Sequence, residues 1–139
     1  MRIMLYFCLV CMLISVTGCS KSNPEAEKAA IDAAQTWLGL VDNQQYAQSW
    51  EQAAGYFKNA VSKEQWEQSM NTYRAPLGKL KSRVVKSASY RTSLPGAPDG
   101  QYVVIQFKSS FENKASAVET VTPMLDKDGS WRVSGYYIK

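Results

Sequence analysis

Apolar residues recur at intervals of three and four through one half of the chain and at intervals of two through the next, and this change of period divides the protein. Ala26, Ala30, Ala33, Trp37, Leu40 and Val41 form a stripe at the spacing of an amphipathic helix. Asn23 stands where a cap is needed, Pro24 suits the first helical position, and Glu25 and Glu27 place negative charge at the positive end of the helix dipole. These residues predict a first helix from Asn23 to about Asp42. Asp42 and Asn43 are turn formers, after which Tyr46, Trp50, Ala53, Ala54 and Phe57 predict a second helix. Ser62 and Gln65 match a capping box, with Val61 and Trp66 placed to close a hydrophobic staple. Trp66, Met70 and Tyr73 continue one face of this third helix until Pro76 and Gly78 end it.

From Leu80 the pattern alternates. Arg83 to Thr92 carries a weak alternation through Val85, Ala88 and Tyr90, and a turn-rich loop follows from Leu94 to Gly100. Gln101 to Phe111, Ala117 to Leu125 and Ser130 to Ile138 read as three further strands, joined by turns at Glu112 to Lys114 and Asp126 to Gly129. Pro123 within a strand removes a ladder donor and predicts a local irregularity. Helices followed by strands, rather than alternating with them, indicate an α+β domain: three N-terminal helices packed on one face of a curved four-stranded antiparallel sheet.

The N-terminal segment follows a different logic. A short positive start at Met1-Arg2 precedes an apolar run from Ile3 to Val16 that is too short for a stable membrane span. Val16-Thr17-Gly18-Cys19 then resembles the lipobox of bacterial lipoproteins, in which the Cys thiol takes a diacylglycerol before cleavage frees its amine. Residues 1–18 are thus expected to be a removed signal peptide. Cys19 is expected to be the lipidation site, 19–22 a short tether, and 23–139 a single domain. Two or three acyl chains, palmitate among them, would hold the protein firmly where one would not. Ser20 in place of Asp after the lipidated Cys points, by the sorting behaviour of enteric lipoproteins, to the outer membrane facing the periplasm.

Composition narrows the chemistry. Cys8 and Cys11 leave with the leader, so no intramolecular disulfide or free thiol nucleophile is expected, and His is absent. That removes the commonest metal ligand and the commonest general base near neutrality, so neither a metal nor a cofactor is expected. With Arg2 removed, fifteen Lys and Arg face twelve Asp and Glu, a balance of +3. No basic block or aromatic-basic ladder supports nucleic-acid binding.

Several separated motifs carry a family resemblance. Trp37-Leu38-x-Leu40-Val41-Asp42, Tyr46-x-x-Ser49-Trp50, Arg74-x-Pro76-Leu77-Gly78, Pro95-Gly96-x-Pro98-Asp99-Gly100-x-Tyr102, Glu119-Thr120-Val121 and Trp131-Arg132-Val133-x-Gly135-Tyr136-Tyr137 resemble the signature of the bacterial domain-of-unknown-function family 4019. Members often have Gly in the turn after Asp42 and an apolar residue at the position of Pro123, so this chain departs from the pattern near Gln44 and at Pro123. More distantly, the element order and the ending Asp-Gly-x-Trp-Arg-Val are similar to the cone-shaped fold of nuclear transport factor two and of cyclase and isomerase enzymes. That resemblance implies a space between helices and sheet that holds an acid or base in the enzymes, and elsewhere binds a ligand or is simply packed.

Glu119 interrupts an apolar and Thr-rich strand. If the last hairpin closes with a four-residue loop, Glu119 lies opposite Tyr136, diagonal to Ser134 and on the same face as Arg132. Such a polar cluster could pin strand register; a buried Glu beside a Tyr donor could instead abstract a proton next to a carbonyl. Arg74, Arg83 and Arg132 could receive an anion or simply carry solvated charge. Trp37, Trp50, Trp66 and Trp131 lie on the apolar sides of their elements, as core residues do. The Tyr136-Tyr137 pair must point to opposite faces. Without His, thiol or clustered carboxylates, the leading expectation is a non-enzymatic envelope lipoprotein that binds an envelope protein, a cell-wall component or a small ligand. An enzyme of cyclase or isomerase type using Glu119, Asp42 or a Tyr is one rival. A structural subunit that forms a homodimer through its sheet face is another.

Overall fold

The computed structural model describes residues 21–139, so the leader and Cys19 lie outside the described residues. Helix α1 spans Pro24–Asp42, and its start is set as the sequence implies: the Asn23 side chain accepts a hydrogen bond from the Ala26 amide at 3.1 Å. Its buried face is Ala26, Ala30, Ala34, Trp37, Leu38 and Val41. Beyond it Gln44 holds φ 59°, a left-handed backbone that Gly adopts without cost.

The expected second helix is two. Helix α2 spans Tyr46–Glu51 and α3 spans Gly55–Ala60, so the described residues hold four α-helices rather than three. Local periodicity did not reveal the break because a distant partner makes it: between the two helices Ala54 donates its amide to the Val133 carbonyl at 2.8 Å, and Ala53 and Ala54 are fully buried. Helix α4, Lys63–Tyr73, begins with the complete capping box of Ser62 and Gln65. A 3-10 turn at Ala75–Leu77 follows, and Gly78 closes it at φ 77°.

Strands β1 (Leu80–Arg91), β2 (Tyr102–Phe111), β3 (Lys114–Leu125) and β4 (Trp131–Ile138) form one antiparallel sheet in the order β1-β2-β3-β4. Odd-numbered residues of β2 and β3 face the helices: Val103, Ile105, Phe107, Ser109 and Phe111, then Ala117, Glu119, Val121 and Pro123, are all buried. Of these, Val103, Ile105, Phe107 and Val121 meet Trp37, Leu38, Val41, Phe57, Trp66 and Met70 in one apolar core. Trp50 and Trp131 pack partly buried against it. Every buried apolar residue lies between Ala26 and Val133, so the polypeptide from Ser20 onward carries the whole described core.

The irregularity at Pro123 is a change of register. Pro123 pairs with Val133 while Thr122 pairs with Gly135, which leaves Ser134 as an extra residue in β4. Pro123 has no N–H to give, and pairing of β3 with β2 passes straight from Met124–Tyr102 to Val121–Ile105 beside it. Ser134 turns its hydroxyl to the Thr122 carbonyl at 2.7 Å. Because side chains alternate along a strand, one extra residue exchanges the two faces for everything that follows.

Candidate functional site

At the centre of β3 an acid is buried in an otherwise apolar surface. Glu119 is 0% exposed, and three donors fill its oxygens. Oε1 accepts from Arg83 Nε at 2.8 Å and from the Ser109 hydroxyl at 2.6 Å, while Oε2 accepts from the Tyr136 hydroxyl at 2.5 Å. Arg83 reaches in from β1 and turns the rest of its guanidinium to Asp42, with Nη1 and Nη2 donating at 2.7 and 2.9 Å. Arg74, beyond the end of α4, donates Nη2 to the same Asp42 at 3.0 Å and Nη1 to the Gly78 carbonyl at 2.8 Å. Its guanidinium carbon lies 4.3 Å from the centre of the Phe111 ring. Asp42 ends α1, where the helix dipole is unfavourable to an anion, and the two guanidiniums supply the compensation.

Two carboxylates and two guanidiniums give this cluster no formal net charge. Burial would by itself lower the proton affinity of Arg83, but its bonds to Asp42 and Glu119 outweigh that, and the guanidinium holds its proton more tightly than usual. Tyr136 is driven well above the ordinary phenol range, first by burial and then by the charge of Glu119 and the bond to it. Its hydroxyl is therefore a fixed donor at neutral pH. The cluster ties α1, the end of α4, β1, β2, β3 and β4 together, and Glu119 offers no oxygen to a substrate.

Of the expected residues, Glu119, Tyr136 and Arg74 belong to this one network, the last through Asp42. Arg132 does not. The five-residue connection at Asp126–Ser130 and the extra Ser134 place Glu119 opposite Ile138, not Tyr136, and put Arg132 on the opposite face from Glu119. Tyr136 reaches Glu119 diagonally instead. Arg132 pairs with Asp128, Nη2 to Oδ2 at 2.7 Å, and with Asp126 at 3.3 Å. That pairing pushes the Asp128 carboxyl well below the usual range, through the hydrogen bond from Arg132 and then the Ser130 amide. Arg83, grouped in the sequence with the other two arginines, holds the position expected of Arg132. Ser109 went unnoticed, although a hydroxyl in the inward file Val103, Ile105, Phe107, Ser109, Phe111 is the signal that would have found it. Ser49, also fully buried, accepts Trp37 Nε1 on its carbonyl at 2.8 Å and Trp66 Nε1 on its hydroxyl at 2.9 Å.

An apolar space open to another molecule lies beside this network. A groove of about 630 Å³ runs between α4 and the edge of β4, with Phe57, Trp66 and Met70 on its floor and Tyr73 and Tyr137 at its rim. The rim tyrosines are 72% and 62% exposed, high for aromatic rings at an opening to the core. Tyr136 and Arg74 line it as well, so the groove touches the outer surface of the polar cluster, while Glu119 and Asp42 do not line it. A mostly apolar cleft with a few fixed polar groups has the character of a binding site.

A family model described as a protein of unknown function, DUF4019, matches residues 33–136 of the chain. The chain belongs to this family. No curated protein and no solved structure matches it. The family is described as one of unknown function.

Proposed function

We propose that this member of the DUF4019 family is a lipid-anchored envelope lipoprotein whose domain binds another molecule in the groove between α4 and β4 and performs no chemistry on it. The contrast between the two sites carries this reading. The buried carboxylate that an isomerase-like mechanism would use is fully covered and engaged by Arg83, Ser109 and Tyr136, whereas the groove beside it exposes aromatic rim residues to solvent. The anchor rests on Val16-Thr17-Gly18-Cys19 and places the domain close to the bilayer, since α1 begins at Pro24. Location at the outer membrane, facing the periplasm, rests on Ser20. The finer architecture is a nuclear transport factor two-like cone: register shifts in all three strand pairs favour a strongly curved sheet, with helices in its concavity.

Photo-crosslinking in intact cells tests the binding role. A benzophenone side chain at Tyr73 or Tyr137 is expected to give a discrete adduct, and one at Tyr56, outside the groove, is not. Absence of any adduct from both groove positions removes the binding role. The anchor is tested separately, because Cys19→Ala is expected to abolish palmitate incorporation and release the protein from the membrane fraction.

A further inference from the structure

The edge of β4 beside the groove carries unused backbone hydrogen-bonding groups, and their direction follows from the ladder. Val118 and Lys139 exchange both backbone bonds, each at 3.0 Å. In an antiparallel pair such exchanges alternate with positions whose N–H and C=O turn away from the neighbour. Given the pairs Glu119–Ile138, Thr120–Tyr137 and Val121–Tyr136, the backbone groups of Tyr136 and Ile138 face outward. Val133 shows what such a group does when something meets it: its carbonyl accepts the Ala54 amide at 2.8 Å. Past Val133 the α2–α3 connection leaves the edge, and among the described residues no backbone partner reaches Tyr136 or Ile138.

These groups open onto the groove lined by Trp66, Met70 and Tyr73. We infer that its occupant is an extended segment of a partner protein that adds to β4 as a fifth strand, inserts alternate apolar side chains against α4, and carries an acidic end. This rests on the groove being the binding site. An acyl chain would fill the apolar floor but would leave the edge amides and carbonyls unpaired; a peptide backbone satisfies both. The acidic end follows from charge: the lining includes Lys114 and Lys139 and no Asp or Glu, while the charge of Arg74 is already met by Asp42. The free edge from Tyr136 to Lys139 matches a segment of about four residues at about 3.3 Å per residue.

Ile138→Pro provides a selective test, because Pro at an edge removes the outward N–H without breaking a bond to β3. The probe is a fluorescent, capped octapeptide that alternates valine and threonine and ends in two aspartates, titrated against the polypeptide from Ser20 to Lys139. Strand addition predicts saturable binding that weakens with salt and slows hydrogen exchange at the Tyr136 and Ile138 amides. It also predicts a loss of about tenfold or more in Ile138→Pro, as expected for one hydrogen bond and its strained neighbour, with Ile138→Val within about threefold. A copy of the peptide N-methylated on alternate residues is expected not to bind, which keeps the test decisive if Ile138→Pro fails to fold. Failure of the octapeptide to bind, or equal binding of its N-methylated copy, overturns strand addition. In either case an adduct from Tyr73 that proves to be lipid or glycan would leave the binding role standing, whereas no adduct at all would remove both.

Discussion

Replacing Arg83 with Met tests whether the buried cluster holds the sheet to the helices. The substitution keeps much of the side-chain volume but deletes three charge-assisted bonds, one to Glu119 and two to Asp42. Asp42 retains Arg74, whereas Glu119, fully buried, keeps only the hydroxyls of Ser109 and Tyr136 against its charge. Removing one partner of a buried pair typically destabilises by about 3–5 kcal/mol, because the remaining charge stays desolvated. At a urea slope of about 1–3 kcal/mol per molar, typical of small domains, the unfolding midpoint should fall by about 2 M. Glu119→Gln leaves Arg83 paired with Asp42 and should cost less, about 2 kcal/mol. The double variant Arg83→Met/Glu119→Gln restores a charge-balanced interior of Asp42 and Arg74. It should therefore be more stable than the sum of the two losses implies, with a coupling of about 2 kcal/mol in the cycle. Urea unfolding of the Ser20–Lys139 polypeptide, followed by Trp fluorescence, measures all four corners. Additive losses, or an Arg83→Met midpoint equal to the parent's, would refute the claim that these charges are desolvated and mutually dependent.

Alkaline titration reads the same cluster from the Tyr136 side. Its raised affinity for the proton means that its contribution to stability is complete below pH 10, the ordinary phenol value, and is lost as pH climbs through the higher folded value. Absorbance at alkaline pH should therefore show a late-ionising class of tyrosines that vanishes on unfolding, and Tyr136→Phe should remove one member and cost about 1–3 kcal/mol by leaving Glu119 Oε2 without that donor. Arg132→Ala should leave the urea midpoint and the late tyrosine class unchanged, since its closer partner Asp128 is exposed and both it and the half-buried Asp126 lie at the far end of the hairpin; a large loss of stability would show that Arg132 belongs to the cluster.

Much of the fold is legible because it is written locally. The Asn23 cap, Pro24, and the Ser62–Gln65 box act within one turn of the residues they organise, and the structure contains each of them. The second helix failed because its break depends on a hydrogen bond between residues 54 and 133, and no window of local periodicity spans that distance. The buried site was half legible for the same reason. Glu119 stands out by itself, as an acid in an apolar strand. Its partners depend on which face each neighbour occupies, and face assignment is only as good as the register.

The length of the last turn and one extra residue decide that register. With strict pairing across Asp126 to Gly129, Arg132, Ser134 and Tyr136 share a face with Glu119. The five-residue connection at Asp126–Ser130 instead turns Val133 inward and Arg132 outward, and the extra Ser134 then places Tyr136 on the inner face and sends Tyr137 outward. Had the same residues of β4 paired without a bulge, Tyr137 would occupy the inward parity, and Tyr136 would reach neither Glu119 nor the Trp37 and Trp66 rings that pack against it at 5.4 and 6.2 Å between centroids. The extra residue also sets which amides of β4 face the open edge, since the outward groups fall on Tyr136 and Ile138 only in the shifted register. The polar cluster and the free edge of the groove thus both depend on the shifted register, and deletion of Ser134, which leaves Gly135 opposite Thr122 and Tyr136 opposite Val121, should preserve both.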